Sequence, residues 1–290
     1  MLCFIAVSVL AFALNGSCTR FFQLRFSDPF YYMSLYQFLF CLIASLGFLA
    51  CRDTSLPLQA DTLLYGVLGG VLFFGASFFS AKSFVIGSMA LSSIITNMSL
   101  LLPLLYSVLL LKEPFTLFHL IGGALFVCTF VLSASGSRQK SNGGILWVVI
   151  VSLAFFSNGM NAVVTKYYLL NAAQTQSNAF MAITYFTASL AFLGLFLQKG
   201  RHAARPPKSG GYLANLLLIS TVSAAGSFGG NLLLTYLANK VDGAILYPCV
   251  NGGLCLVLTV ISYLVFHERI TLKKATAIVL GCSAIVILNL

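Results

Sequence analysis

Acidic side chains are almost missing from this chain. Six Asp and Glu stand among 290 residues, and with sixteen Lys and Arg they bring the charged share to only 8%. Soluble domains carry about 25%. No polar stretch is long enough to fold as an extramembrane domain, and no carboxylate falls inside an apolar run: Asp28, Asp53, Asp61, Glu113, Asp242 and Glu268 all sit between runs. The three histidines, His119, His202 and His267, lie near run ends, no Cys pair forms CxxC, and no Cys has a His at metal spacing. A metal centre and a buried His nucleophile system therefore lack their raw material. A GxSG serine is also absent, because Gly226-Ser227-Phe228-Gly229 has the wrong order. These gaps argue against an intramembrane enzyme, and neither cofactor nor metal is expected.

What fills the chain is apolar. Hydrophobic residues make up 59%, and mean hydropathy is +0.98. So much apolar surface requires lipid as its solvent. Ten apolar runs follow, at residues 1–19, 29–51, 63–81, 88–111, 115–134, 144–170, 177–197, 212–238, 243–266 and 272–290. Lipid permits only helices or closed barrels, and strict period-two alternation is absent, so an all-α membrane protein of ten transmembrane helices is expected. The first run has no basic n-region and is read as a retained helix rather than a signal peptide. The eight Cys lie in or beside apolar runs and are read as free packing residues. The net charge of +10 does not point to nucleic acid, since the basic residues are scattered singly, without a stripe or an aromatic platform.

The chain repeats itself. Residues 10–16 read LAFALNG and residues 153–159 read LAFFSNG, identical at five of seven positions. Thr19-Arg20-Phe21-Phe22 matches Thr165-Lys166-Tyr167-Tyr168 after a small shift. Further on, 111–116 (LKEPFT) matches 266–271 (FHERIT), which puts Glu113 opposite Glu268. Two halves, 1–134 and 144–290, are joined by a loop at 135–143. Five spans are an odd number, so the second half would enter the membrane upside down, the inverted repeat of secondary transporters. The glycines of 66–70 (GVLGG) and 226–230 (GSFGG) are not aligned by this repeat and are read as small-xxx-small helix contacts.

Ten spans, an Asn-Gly in the first helix of each half and a Glu in the turn before the last helix of each half resemble the drug/metabolite transporter superfamily, specifically its EamA branch. The resemblance covers the whole chain. It implies transport of a metabolite, with fifth and tenth helices at the periphery. Members often carry an Arg in the second helix, where this chain has Gln37. The small four-helix multidrug relatives use a Glu inside their first helix, and no acid stands there in this chain.

Glu113 and Glu268 are read as structural caps, since each precedes an apolar helix whose free N–H groups and dipole favour a carboxylate. Candidate substrate-binding residues are the polar groups inside runs, Asn15, Tyr36, Gln37, Asn97, Asn158, Asn161, Tyr185, Asn231, Tyr247 and Asn251, together with Lys82 at a run end. Singly, each amide is read as interhelical glue. Collectively they mark a hydrated path, with Asn15 and Asn158 expected close together on it. Pro103 and Pro248 are expected to unwind the fourth and ninth helices beside it. Arg20 and Lys166, at run ends, are expected to snorkel to the headgroups, whereas Lys82 is read equally as snorkelling and as functional.

The expected function is secondary transport of a small polar metabolite, anionic or zwitterionic, by alternating access. An obligate organic cation is not expected, because no mid-span carboxylate would balance it. A multidrug or amino-acid exporter of the same fold and a non-transporting membrane scaffold are the alternatives. The expected partners are the lipid bilayer and a small-molecule substrate, with no nucleic acid and oligomeric state left open, a monomer included. The expected location is the bacterial plasma (inner) membrane. Arg20, Arg25, Lys82, Arg138, Lys140, Lys199, Arg201, Arg205, Lys208, Arg269, Lys273 and Lys274 fall on one side, against Arg52, Lys112, Lys166 and Lys240 on the other. The positive-inside rule makes the first side cytoplasmic, with both ends of the sequence opposite, whereas the family's better-known members resemble a termini-inside arrangement.

Overall fold

The structure is a computed structural model that describes residues 2–25, 31–52, 57–86, 92, 95–96, 98–112, 117–134, 144–171, 176–200, 212–238, 240–241, 243–265 and a few positions from 276 to 287. The described residues form only helices and turns. In chain order these are α1 (Leu2–Arg25), α2 (Tyr31–Ala50), α3 (Ala60–Ile86), a 3-10 turn (Met98–Leu100) leading into α4 (Leu101–Leu109), α5 (Leu117–Ala134), α6 (Gly144–Asn171), α7 (Ser177–Gly200), α8 (Tyr212–Ala238) and α9 (Gly243–Leu264). Six of them, α1, α2, α3, α6, α7 and α8, are long and apolar enough to cross a membrane. Helices are dictated here because each satisfies its own backbone polar groups where no water can. Most of the tenth run, at 272–290, lies outside the described residues.

The two prolines behave differently. Pro103 sits at the third position of α4 and deprives Ser99, four residues back, of its helical partner. The backbone there tightens into the 3-10 turn. Pro248 was expected to do the same to the ninth helix, but α9 continues as an α-helix through position 248. It falls in the second turn, where its missing N–H removes one early hydrogen bond and leaves the rest of the ladder intact.

Helix neighbours define the architecture. The main packing pairs are α2 with α7 and α8, α1 with α8 and α9, α3 with α6 and α7, and α4 with α6 and α9. Followed from neighbour to neighbour they close a ring: α1, α8, α2, α7, α3, α6, α4, α9 and back to α1. Helices from before residue 135 alternate with helices from after residue 143 all the way round. The α5 helix packs on α9 from outside the ring.

Lipid offers no hydrophobic drive for helix association, so close contact must come from small residues and hydrogen bonds. Gly66, Gly69 and Gly70 of α3 lie against Ile183, Thr184 and Thr187 of α7. Gly226 and Gly230 of α8 lie against Ala11, Leu14 and Phe12 of α1. Both glycine stretches are thus helix contacts, on non-equivalent neighbours. Outward-facing positions are large and apolar, such as Ile145, Leu64 and Leu190, and the interior carries fully buried serines, including Ser107, Ser189, Ser220 and Ser223.

Aromatic stacks tie helix ends together. Phe22 of α1 stacks on Tyr36 of α2 at 4.7 Å, and Tyr168 of α6 stacks on Phe180 of α7 at 4.3 Å. Phe22, Tyr36 and Leu216 share one cluster, so the C-terminal end of α1 and the N-terminal ends of α2 and α8 lie at one face of the bundle. Thr62 and Tyr168 meet at the opposite face, bringing the start of α3 to the end of α6.

A methyl group at Gly70 would stand 2.6 Å from the Thr184 carbonyl oxygen and from Thr187 Cβ, whereas one at Gly229 meets nothing within 4 Å. Gly70→Ala should therefore cost about 1–3 kcal/mol of stability. Gly229→Ala should be neutral or slightly stabilising, because Ala is the better helix former. Thermal stability of the detergent-solubilised protein, followed by size-exclusion chromatography, checks the contrast.

Candidate functional site

A polar seam runs along one face of α8. Ser220, Ser223, Ser227 and Asn231 are spaced by three, four and four residues, which places them on one helical stripe. Helices of the other half reach it. Tyr36 of α2 donates to Ser223 Oγ at 2.7 Å, and Ser223 Oγ donates to Asn15 Oδ1 of α1 at 2.8 Å. The Thr19 hydroxyl donates to the Asn15 carbonyl at 3.0 Å and lies 3.0 Å from the Tyr36 oxygen. One turn further on, Asn231 Nδ2 donates to Tyr185 Oη of α7 at 2.9 Å, and Tyr185 and Ser227 share a bond of 2.8 Å. Four of the candidate residues, Asn15, Tyr36, Tyr185 and Asn231, are thus brought onto one seam across α1, α2, α7 and α8.

Asn158 belongs to a separate contact. Its amide donates to Ser99 Oγ at 2.7 Å and toward the Thr96 carbonyl at 3.5 Å. It therefore braces the tightened turn before Pro103, where the backbone lacks its own partners. Asn15 and Asn158 share no hydrogen bond among the described residues. Asn161, one turn on from Asn158, holds a buried Oδ1 with no partner among the described residues.

Aromatic rings close over the seam. Tyr185 meets Phe40, Phe48 and Phe73 at centroid distances of 5.9, 5.8 and 5.4 Å. Toward the face that carries Phe22 and Leu216, this packing gives way to a small cleft between α2, α3 and α7. Gln37, Ser34 and Ser77 supply its polar groups, and Met33, Phe78 and Phe192 its apolar walls. Lys82, one residue beyond the lining residue Ala81, holds its Nζ 5.9 Å from the centre of the Phe78 ring.

Lys166 does not snorkel. It is 2% exposed, and its Nζ donates to Ser107 Oγ of α4 at 2.7 Å. The α6 helix carries it on the face packed against α4, so the ammonium points into protein rather than toward headgroups. Its repeat counterpart Arg20 is exposed. Nearby at the same face of the bundle, Thr62 donates to Gln176 Oε1 at 2.7 Å and meets the Tyr168 hydroxyl at 2.8 Å, while Gln176 Nε2 donates to the Pro57 carbonyl at 2.9 Å.

Sequence reasoning missed Ser223, Ser227, Ser99, Ser107, Thr62 and Gln176. The α8 serines had a readable signal in their stripe spacing. Gln176 had none, because it precedes its helix and its partners, Thr62 and Pro57, are more than a hundred residues away in sequence. Asn97, Glu113 and Glu268 lie outside the described residues, as do the side chains of Tyr247 and Asn251.

Residues 1–135 match the model of the EamA-like transporter family, a branch of the drug/metabolite transporter superfamily. No curated protein matches the chain. A solved crystal structure, titled only as that of a protein, superposes with a TM-score of 0.73 at 12% identity, covering 99% of this chain and 96% of its own. At that identity the likeness is one of fold.

The Tyr185–Asn231 bond should be measurable as coupling. A double-mutant cycle of Tyr185→Phe and Asn231→Ala is expected to give about 0.6–1.7 kcal/mol, read from unfolding in detergent.

Proposed function

We propose that the chain is a secondary transporter of the drug/metabolite type, moving a small polar metabolite, anionic or zwitterionic, by alternating access. The family match supports the transporter class. The observation that carries the finer reading is the seam from Asn15 and Tyr36 through Ser223 and Ser227 to Tyr185 and Asn231. It links helices of the two halves by neutral hydrogen bonds, which can break and re-form without stranding a charge. Lys82, next to the cleft-lining Ala81, with no carboxylate inside any apolar run of the sequence, favours an anionic or zwitterionic cargo.

The same reading makes the protein ten helices in two inverted repeats, 1–134 and 144–290, joined by 135–143. Exchanging α1, α2, α3 and α4 for α6, α7, α8 and α9 turns the ring of helix neighbours into itself. Phe22 and Tyr168, matched in the sequence repeat, also make matching stacks with the following helix. Both observations support a pseudo-twofold axis, about which one half can rock against the other. On this reading the protein works in a bacterial plasma membrane, as a monomer with a single small-molecule substrate.

Purified full-length protein in phosphatidylcholine vesicles should exchange at least one labelled solute from a panel of amino acids, sugar phosphates and nucleosides. Asn15→Ala and Lys82→Gln should each slow exchange by about tenfold or more, the loss of one hydrogen bond to a charged or strongly polar group, an effect larger than that on thermal stability. Movement of quaternary ammonium compounds alone would overturn the reading, and a wholly inert protein would favour a scaffold.

The face carrying Arg20, Lys82 and the N-terminal end of α8 is proposed to be cytoplasmic. Reporters inserted after Leu197 are expected to be active in the cytoplasm. Reporters after Leu290 should be active on the other side; cytoplasmic activity there would reverse the orientation.

A further inference from the structure

We infer that the chain carries two gates of one design, one at each face of the bundle, each a Phe–Tyr stack whose tyrosine hydroxyl latches one half of the chain to the other. As steps of a transport cycle the gates rest on the transport reading; as latches they stand on their own geometry.

At one face Phe22 of α1 stacks on Tyr36 of α2, with 4.7 Å between centroids and 17° between planes. At the other Tyr168 of α6 stacks on Phe180 of α7, at 4.3 Å and 14°. Phe22 and Tyr168 each stand three residues before the end of their helix, and Tyr36 and Phe180 lie in the first two turns of the next. All four rings are buried, none more than 2% exposed. The order of ring types is exchanged, Phe then Tyr at one face and Tyr then Phe at the other, so each stack holds a single hydroxyl.

That hydroxyl leaves its own half in both cases. Tyr36 donates to Ser223 Oγ of α8 at 2.7 Å, and the Tyr168 hydroxyl meets Thr62 Oγ1 of α3 at 2.8 Å. The α8 and α3 helices are partners under the twofold axis proposed above. Two phenylalanines would stack equally well but make no bond between halves, and two tyrosines would bury a second hydroxyl in need of a partner. What surrounds each stack differs. Thr19 and Asn15 adjoin the first, whereas Gln176 accepts from Thr62 and from the Gln59 backbone amide beside the second. Ser223 still has Asn15 and Thr62 still has Gln176 when a tyrosine hydroxyl is removed, so its loss strands neither partner. The latch can therefore be tested apart from the fold.

Cys41 reports on the space between the gates. It is fully buried on α2, in the cluster that holds Phe40, Phe48 and Tyr185. It lies five residues beyond Tyr36, about 8 Å along the helix axis. Cys51, exposed and just past the end of the same helix, marks the face that carries Tyr168.

The full-length protein in sealed membrane vesicles of both orientations is treated from outside with a membrane-impermeant methanethiosulfonate, and each cysteine is followed by peptide mass spectrometry. Vesicles in which Cys51 reacts present the Tyr168 face, and those in which it is protected present the Tyr36 face. Tyr36→Phe should speed labelling of Cys41 by about three- to fifteenfold, the loss of one interhelical hydrogen bond, and only from the Tyr36 face. Tyr168→Phe should act by a similar factor, only from the Tyr168 face. Thr62→Ser, which keeps the hydroxyl, should label like the unaltered protein. Labelling that rises equally from both faces is what a loosened core would give, and it would overturn the gates. Unchanged labelling in either tyrosine variant would overturn the pair as well.

Side-specific labelling without exchange of any panel solute would remove the transport reading and leave the latches. Solute exchange in a protein whose Cys41 is reached equally from both faces would do the reverse.

Discussion

Association between helices in lipid cannot rest on apolar burial, because the surrounding chains are as apolar as the side chains they would replace. Everything in this fold depends on how that is solved. Helices of the two halves alternate around a ring, so each main lateral contact joins one half to the other. Close approach is made possible by glycine where backbones touch, as at Gly70 on Thr184 and Gly226 on Ala11. Elsewhere hydroxyls and amides hold the pair together. Neither half can reach this arrangement without its counterpart, and a relative movement of the halves loads every interface at once.

The buried polar groups follow from the same constraint. An amide or hydroxyl facing lipid would lose its hydrogen bonds at a cost of a few kcal/mol, so Asn15, Asn158, Asn231, Tyr36 and Tyr185 turn to neighbouring helices. The bonds they make are neutral and each of modest net value. A network of that kind is strong enough to set helix register and weak enough to be exchanged for another. Asn158 shows how structure and weakness coincide, since it ties α6 to the Ser99 side chain in the turn before Pro103. The opposite face is held differently, by Lys166 on Ser107 and by Gln176 bridging Thr62 and the Pro57 carbonyl. The two faces of the bundle are therefore closed by different chemistry.

Lys166 and Pro248 show where local reasoning ends. A lysine at the end of an apolar run can reach the headgroups whenever its side of the helix is free, and only the packing of α6 against α4 removes that option. A proline inside an apolar run can unwind it, yet the effect depends on its distance from the helix start, which the run alone does not define. Gln176 is the converse case. It lies outside any apolar run, yet it bonds Thr62 of α3 and is almost fully buried.

Class and secondary structure were legible in the sequence because lipid imposes both: few charges, long apolar runs, and helices as the form that satisfies the backbone. The paired phrases around Asn15 and Asn158, and the glycine contacts, were legible too, since small and repeated motifs carry their meaning locally. Which amides meet, and on which helix, was not legible. A 3.6-residue period says what shares a face, but not which of seven other ring members that face will meet. Tertiary structure alone decided that Tyr36 and Tyr185 converge on α8, that Asn158 faces the turn before Pro103, and that Gln37 and Phe192 line one cleft. Those are matters of helix order around the ring, set by interactions between residues 42 to 208 positions apart.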